Sequence, residues 1–196
     1  MFSANALRLP TGQTITLEIQ AGEIHCLRGD SGVGKTRLLR ALADLDDCPG
    51  DIYLDGRERR QMPAPQWRSQ VMLVPARPRW WLPTAAEHMA KDISQSVELL
   101  RLDKARLNSP AHRLSSGEGS RLALLRALAC EPAVLLLDEP TAALDEESEA
   151  AMEQLLQQYV AHGKHSILWI THSRAQSQRV AQMQWQLSQQ ALERLA

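Results

Sequence analysis

The sequence has no charge excess, no paired cysteines and no long apolar run. Its 196 residues carry 22 Lys+Arg against 23 Asp+Glu, a formal net charge of −1, which gives no electrostatic case for a nucleic-acid partner. Cys26, Cys48 and Cys130 are scattered. They form no CxxC pair and no metal-ligand spacing, and they read as buried small hydrophobes in a reducing compartment. No apolar run approaches the ~20 residues needed to cross a bilayer. No basic stretch followed by an apolar run opens the chain, so no signal peptide is expected. Any membrane role must therefore come through a partner. What remains is ordinary for a globular protein: 44% hydrophobic and 23% charged residues, in a length that suits one domain with at most a small inserted lobe.

Strand and helix periodicities alternate along the chain. Ile15–Ile19 alternates like a half-buried strand, and Ala21-Gly22-Glu23 turns into a more buried one, Ile24–Leu27. A glycine-rich loop from Gly29 to Thr36 runs into an amphipathic helix, Arg37–Leu42. Ile52 and Leu54 suggest a short edge strand, and Val71–Val74 a brief buried one. Prolines, arginines and paired tryptophans between Pro75 and Pro83 read as an exposed connector, and a helical stretch from Thr84 to about Leu107 as a small lobe. Helix Ser120–Ala129, strand Ala133–Leu137, helix Glu146–Tyr159 and strand Ser166–Ile170 follow. The alternation at Ala181, Met183, Trp185 and Leu187 predicts a half-buried strand before a short last helix. This order implies an α/β fold around a mainly parallel sheet.

Gly29-Asp30-Ser31-Gly32-Val33-Gly34-Lys35-Thr36 fits GxxxxGK[ST] at every fixed position, after a strand and at the start of a helix. Glycines let the backbone wrap phosphates and aim N–H groups at them, and the helix N-terminus adds partial positive charge. Lys35 is placed to reach the β- and γ-phosphates, and the Thr36 hydroxyl to ligate Mg²⁺. Alone, the loop leaves kinase, GTPase, helicase and ATPase open.

Downstream residues narrow the choice. Leu114-Ser115-Ser116-Gly117-Glu118 opens a helix. A buried strand with an acidic end follows, Val134-Leu135-Leu136-Leu137-Asp138-Glu139, then Ala142-Ala143-Leu144-Asp145 and Ile170-Thr171-His172. In order and spacing these resemble the ABC (ATP-binding cassette) ATPase family over nearly the whole chain. They match its signature (usually LSGGQ), Walker B strand with adjoining glutamate, D-loop and switch histidine. Asp138, at a strand end, suits the Mg²⁺ hydration shell beside Thr36. Glu139 is placed to polarise the attacking water as general base, and His172 to contact the γ-phosphate. The resemblance implies a P-loop NTPase core over residues 1–75 and 116–196. It also implies an N-terminal antiparallel β portion and a short helical lobe at about 76–115. ATP and Mg²⁺ are the implied cofactors. Two chains are expected to sandwich nucleotide, with Ser115 to Glu118 closing over the partner's ATP and Asp145 crossing the interface.

Three departures stand out. Ala76 occupies the position of the family's Q-loop glutamine, which contributes a Mg²⁺/water contact and reports on the transmembrane partner. Ser116 stands where glycine is usual, and the N-terminus is trimmed: Phe2 is the one candidate for the aromatic that stacks on adenine. Arg77-Pro78-Arg79-Trp80-Trp81-Leu82 lies where the family docks its permease, so Trp80 and Trp81 read either as docking residues or as packing inside the lobe. The implied function is the ATP-hydrolysing subunit of a transporter, cytoplasmic and peripheral at the inner face of the cell membrane. It loosely resembles small bacterial ATPases proposed to export metals such as iron. The alternative is a slow-turnover regulatory module controlling a membrane complex. A DNA-repair ATPase is disfavoured, because there is no coiled-coil insertion and no basic surface excess.

Overall fold

The structure is a computed structural model that describes residues 1–195, with the side chains of Ser94 and Gln95 outside the description. Ala196, the last residue of the expected core, also lies outside the described residues.

Two sheets organise the chain. Strands β1 (Phe2–Arg8), β2 (Thr14–Ile19), β4 (Asp51–Leu54) and β5 (Arg57–Glu58) form an antiparallel sheet in the order β2-β1-β4-β5. The second sheet runs β10-β9-β3-β8-β7-β6. Its members are β3 (Ile24–Gly29), β6 (Val71–Val74), β7 (Val134–Asp138), β8 (Ser166–Ile170), β9 (Met183–Leu187) and β10 (Leu192–Leu195). All its pairings are parallel except that of β10 with β9. Every residue of β7 and β8 is buried, as expected where both faces of a parallel sheet are covered.

Two apolar layers cover those faces. One lies between the sheets and includes Phe2, Leu7 and Ile15, with Leu38 and Leu42 of α1 (Lys35–Leu42) and Trp67 of α2 (Ala64–Gln70). The other packs Leu122 and Leu125 of α4 (Ser116–Leu128), and Met152 and Leu156 of α5 (Glu146–Ala161), on the opposite face. A last helix, α6 (Arg174–Val180), leads from β8 to β9.

Register decides which loops meet. Leu27 of β3 and Asp138 of β7 both pair with Ile170 of β8. The phosphate-loop sequence, the Asp138-Glu139 pair and His172 therefore leave the sheet at the same, carboxyl edge, where open α/β sheets place their ligands.

Four sequence expectations are corrected. The helical stretch expected from Thr84 to about Leu107 is broken up: among the described residues it holds only α3 (Ser94–Leu99) and short 3₁₀ turns. Arg101, with φ of 55°, ends the helical path. The expected last helix is strand β10, which has the antiparallel partner β9. β4 is not an edge strand, since β1 and β5 flank it. Finally, Phe2 is 1% exposed, in β1 with its ring 6.4 Å from that of Trp67. Buried against the core, it cannot stack on a nucleotide.

Candidate nucleotide site

The loop Gly29–Thr36 is shaped by backbone requirements. Gly29 has φ of 156°, and a Cβ there would lie 2.4 Å from the carbonyl oxygen of Leu187. Gly34, with φ of 111°, caps α1, and its Cα faces Thr11 so closely that a Cβ would meet the hydroxyl oxygen at 3.0 Å. No side chain caps α1 and no acid sits in its first turn, so the helix offers its N–H groups to an external anion.

The Lys35 ammonium donates to the carbonyls of Gly29 at 2.7 Å and Asp30 at 3.0 Å, folding the loop around its own cation. The Thr36 hydroxyl donates to Asp138 Oδ2 at 3.0 Å. Burial pushes the Asp138 carboxyl above its ordinary range and Glu139's charge adds to this; Thr36, Lys35 and the Ala76 backbone oppose it. A cation beside Asp138 relieves that desolvation.

Glu139 holds a left-handed φ of 50°, uncommon for a non-glycine residue and costing about 1–3 kcal/mol. Its N–H donates to the Ile170 carbonyl at 3.1 Å, and its Oε1 lies 2.8 Å from His172 Nε2. A cavity of about 360 Å³ is lined by Lys35, Thr36, Arg37, Glu139 and His172, with Ser31, Gly32 and Gly34 of the loop. The structure thus brings the loop, Glu139 and His172 together, with Asp138 behind Thr36.

The remaining predicted residues do not line this cavity. Ser115 caps α4, and a reciprocal pair links them: Ser115 Oγ accepts from the Glu118 N–H, and Glu118 accepts from the Ser115 N–H at 2.8 Å. The Ser115 backbone bond holds the Glu118 carboxyl below its usual range. Gly117 permits close approach, since a Cβ there would sit 2.8 Å from the Ala143 carbonyl oxygen. Ser115 and Ser116 border another cavity, of about 260 Å³, together with Ala76, Trp80 and Glu139. Asp145 caps α5, accepting from the Ser148 N–H at 2.8 Å.

Gln13 was not legible as a site residue. It is 1% exposed, and its amide donates to the carbonyls of Val33 at 3.1 Å and Ser188 at 2.9 Å, clamping the loop to the sheet's far end. No local pattern announces a contact across 175 positions.

This arrangement has counterparts. The ABC transporter family model matches residues 13–142, well over half of the chain. The chain is 33% identical to the phosphate import ATP-binding protein PstB of Tropheryma whipplei, over 85% of this chain and 74% of that protein. The chain belongs to the ABC transporter ATP-binding family. The cassette is also 35% identical to the tungstate uptake system ATP-binding protein TupC of Peptoclostridium acidaminophilum, over 84% of this chain and 81% of that one. A solved dimeric cassette in a post-hydrolysis state, bound to ADP and Pi, superposes with a TM-score of 0.86 at 22% identity. The superposition covers 100% of this chain and 99% of that one, and it shows the shared P-loop NTPase fold. As a family member the cassette is an ATP-binding, ATP-hydrolysing subunit of an ABC transporter, a class that pairs and works with a membrane permease.

Proposed function

We propose that ATP binds with its phosphates along Gly29–Thr36 and that Glu139 is the general base. The observation that carries this is the 2.8 Å contact between Glu139 and His172 on the rim of the cavity that also holds Lys35 and Thr36. A water between Glu139 and the γ-phosphate loses its proton to the carboxylate as its oxygen bonds to the γ-phosphorus and the bridging P–O bond breaks, leaving ADP and phosphate, while His172 holds the carboxylate in place and reaches the phosphate. Lys35 exchanges its two carbonyl partners for phosphate oxygens. Glu139→Gln is expected to lower ATP turnover by ~10²–10⁴-fold with nucleotide binding retained. Turnover equal to wild type would overturn the assignment.

The residues present fit Mg²⁺. Thr36 and Asp138 supply two hard oxygen donors in mutual contact. Among the described residues no cluster of three acidic, histidine or cysteine side chains could cage an ion alone, the usual situation where Mg²⁺ takes its other ligands from phosphate and water. When bound, Mg²⁺ supplies charge neutralisation of the β- and γ-phosphates.

The proposal extends to assembly. Ser115 to Glu118, at the N-terminus of α4, close over the nucleotide of a second copy, with Asp145 at the shared interface. Trp81 is 73% exposed, and its ring lies 4.5 Å from His88 and 5.3 Å from the Arg126 guanidinium. Trp80 is half-buried, its ring 5.1 Å from that of His88 and 4.7 Å from the Arg126 guanidinium. Trp81 therefore contacts the permease and Trp80 supports it, and Trp81→Ala is expected to weaken co-purification of the permease; unchanged recovery would overturn the docking role. No helix among the described residues is long and apolar enough to span a membrane, so the cassette would sit peripherally at the inner face. The two relatives named above are uptake subunits, which supports import.

Ala76 favours a second reading, a slow regulatory module. Its backbone bonds to Asp138, but its side chain has no oxygen to offer the cation or the water. Wild-type turnover no faster than that of Glu139→Gln would favour this reading over the motor.

A further inference from the structure

The two stretches proposed to meet a second copy are tied together inside the chain. Ser115 to Glu118 open α4, and Asp145 caps α5. One side chain from each helix makes the link. Arg121, one turn beyond Gly117, is half-buried. Its Nε donates to the Gly117 carbonyl at 3.3 Å, and its Nη1 donates to the Ser148 hydroxyl of α5 at 3.0 Å. The same Nη1 donates to the carbonyls of Leu100 at 3.0 Å and Arg101 at 3.3 Å, where α3 of the small lobe ends.

Ser148 completes the connection. It is 3% exposed, and its Oγ, while accepting from Arg121, donates to Asp145 Oδ2 at 3.1 Å. Its backbone N–H donates to the other oxygen, Oδ1, at 2.8 Å. Both carboxylate oxygens of an exposed side chain are thereby fixed. The backbone bond first, then the hydroxyl bond, hold the Asp145 carboxyl below its ordinary range, and the Arg121 charge adds to this.

Capping a helix needs only the backbone bond. The hydroxyl bond, and the guanidinium behind it, are additional. Burial disfavours the Arg121 cation, and the charges of Asp145 and Glu118 offset part of that cost. A guanidinium is planar and rigid, so the groups that accept from it keep fixed positions relative to one another. Gly117 also lies directly against the carbonyl of Ala143, two residues before Asp145.

We infer that Arg121 and Ser148 are positioning residues of the paired state. Through the path Gly117–Arg121–Ser148–Asp145 they set the spacing at which the start of α4 and Asp145 are presented to the second copy. The inference rests on the assembly proposed above. Two contacts that must form together on one partner gain from being held at the right separation beforehand, because less freedom is lost on binding. In a two-fold pair each copy uses the link once, so loosening it is felt twice.

Sedimentation of the full-length Glu139→Gln chain with Mg²⁺ and ATP tests this. Adding Ser148→Ala keeps the backbone cap and removes only the hydroxyl. It is expected to raise the concentration at half-dimerisation by about tenfold, the weight of one hydrogen bond to a charged group. The single chain is expected to bind ATP as before and to keep its thermal midpoint. Arg121→Lys keeps the charge but loses the fork, and is expected to weaken pairing likewise. Since both substitutions break one link, their combined loss is expected to match the larger single loss. A Ser148→Ala chain that pairs like its parent, or losses that simply add, would overturn the inference while leaving the assembly intact. Pairing lost only through a general folding defect, seen as lost ATP binding and a lower thermal midpoint, would also overturn it. A Glu139→Gln chain that stays monomeric with Mg²⁺ and ATP would overturn the assembly reading, and the inference with it.

Discussion

Single residues set the shape of the phosphate loop more sharply than its consensus suggests. Gly29→Ala drives a Cβ to within 2.4 Å of the Leu187 carbonyl oxygen, a backbone atom that cannot rotate away. We expect a loss of about 3 kcal/mol in stability, visible as a lower urea midpoint at unchanged slope. Phe2 makes the opposite case. Phe2→Leu trims a buried ring and is expected to cost about 1–2 kcal/mol while leaving ATP affinity unchanged, as equilibrium binding would show. A parallel loss of affinity would return Phe2 to the nucleotide site. The motif residues were legible because each is the answer to a local demand: glycine for positive φ, lysine and threonine for phosphate and cation. Gln13 and Thr11 were not, because what they do depends on a sheet neighbour far along the chain.

Among the elements, the link between α5 and α6 carries the least obvious energetics. Glu153 of α5 accepts from Gln176 Nε2 at 3.1 Å and from Arg179 at 2.7 Å and 3.1 Å, and Gln176 also donates to Thr141 Oγ1 at 3.1 Å. The loop after Glu139 is thereby tied to the helix after His172. Burial raises the Glu153 carboxyl, but the bonds from Arg179 and Gln176 outweigh it and leave it below its ordinary value of 4.5. A carboxylate depressed in the folded state contributes stability that is present above the unfolded value and lost as pH falls through the folded one. Thermal stability is thus expected to decline below about pH 4.5, and Glu153→Gln to flatten that decline. Gln176→Leu strands buried partners on both sides and is expected to cost about 1–3 kcal/mol, measurable by denaturant unfolding.

Strands β7 and β8 were readable because continuous burial writes a continuous apolar run. β1 was not: its burial pattern is interrupted at Asn5 and Ala6, where pairing with β2 slips and Ala6 takes φ of 49°. The small lobe was misread for a related reason. Its apolar residues Ile93, Val97 and Leu100 keep helical spacing, yet the path ends at a left-handed Arg101 that periodicity cannot foresee.

Across the whole molecule, the phosphate loop and His172 border one cavity and the capped N-terminus of α4 another, with Glu139 on the rim of both. In the proposed assembly, one chain holds two halves of a composite site that a second copy completes. Glu139→Gln, expected to keep nucleotide without turning it over, is expected to sediment as a dimer with Mg²⁺ and ATP and as a monomer without them. Ser115→Arg is expected to abolish that dimer while nucleotide still binds. A dimer that persists in Ser115→Arg would separate the signature from assembly.

The exposure of Trp81 has a practical consequence. Of the five tryptophans, Trp67 and Trp169 are fully enclosed, Trp80 and Trp185 are half-covered, and Trp81 alone stands in solvent. An aqueous quencher such as iodide therefore addresses essentially one indole in the resting chain. The cassette carries its own optical reporter on the face proposed to meet the permease, and docking there should be readable as iodide protection together with a blue shift in emission, without any attached label.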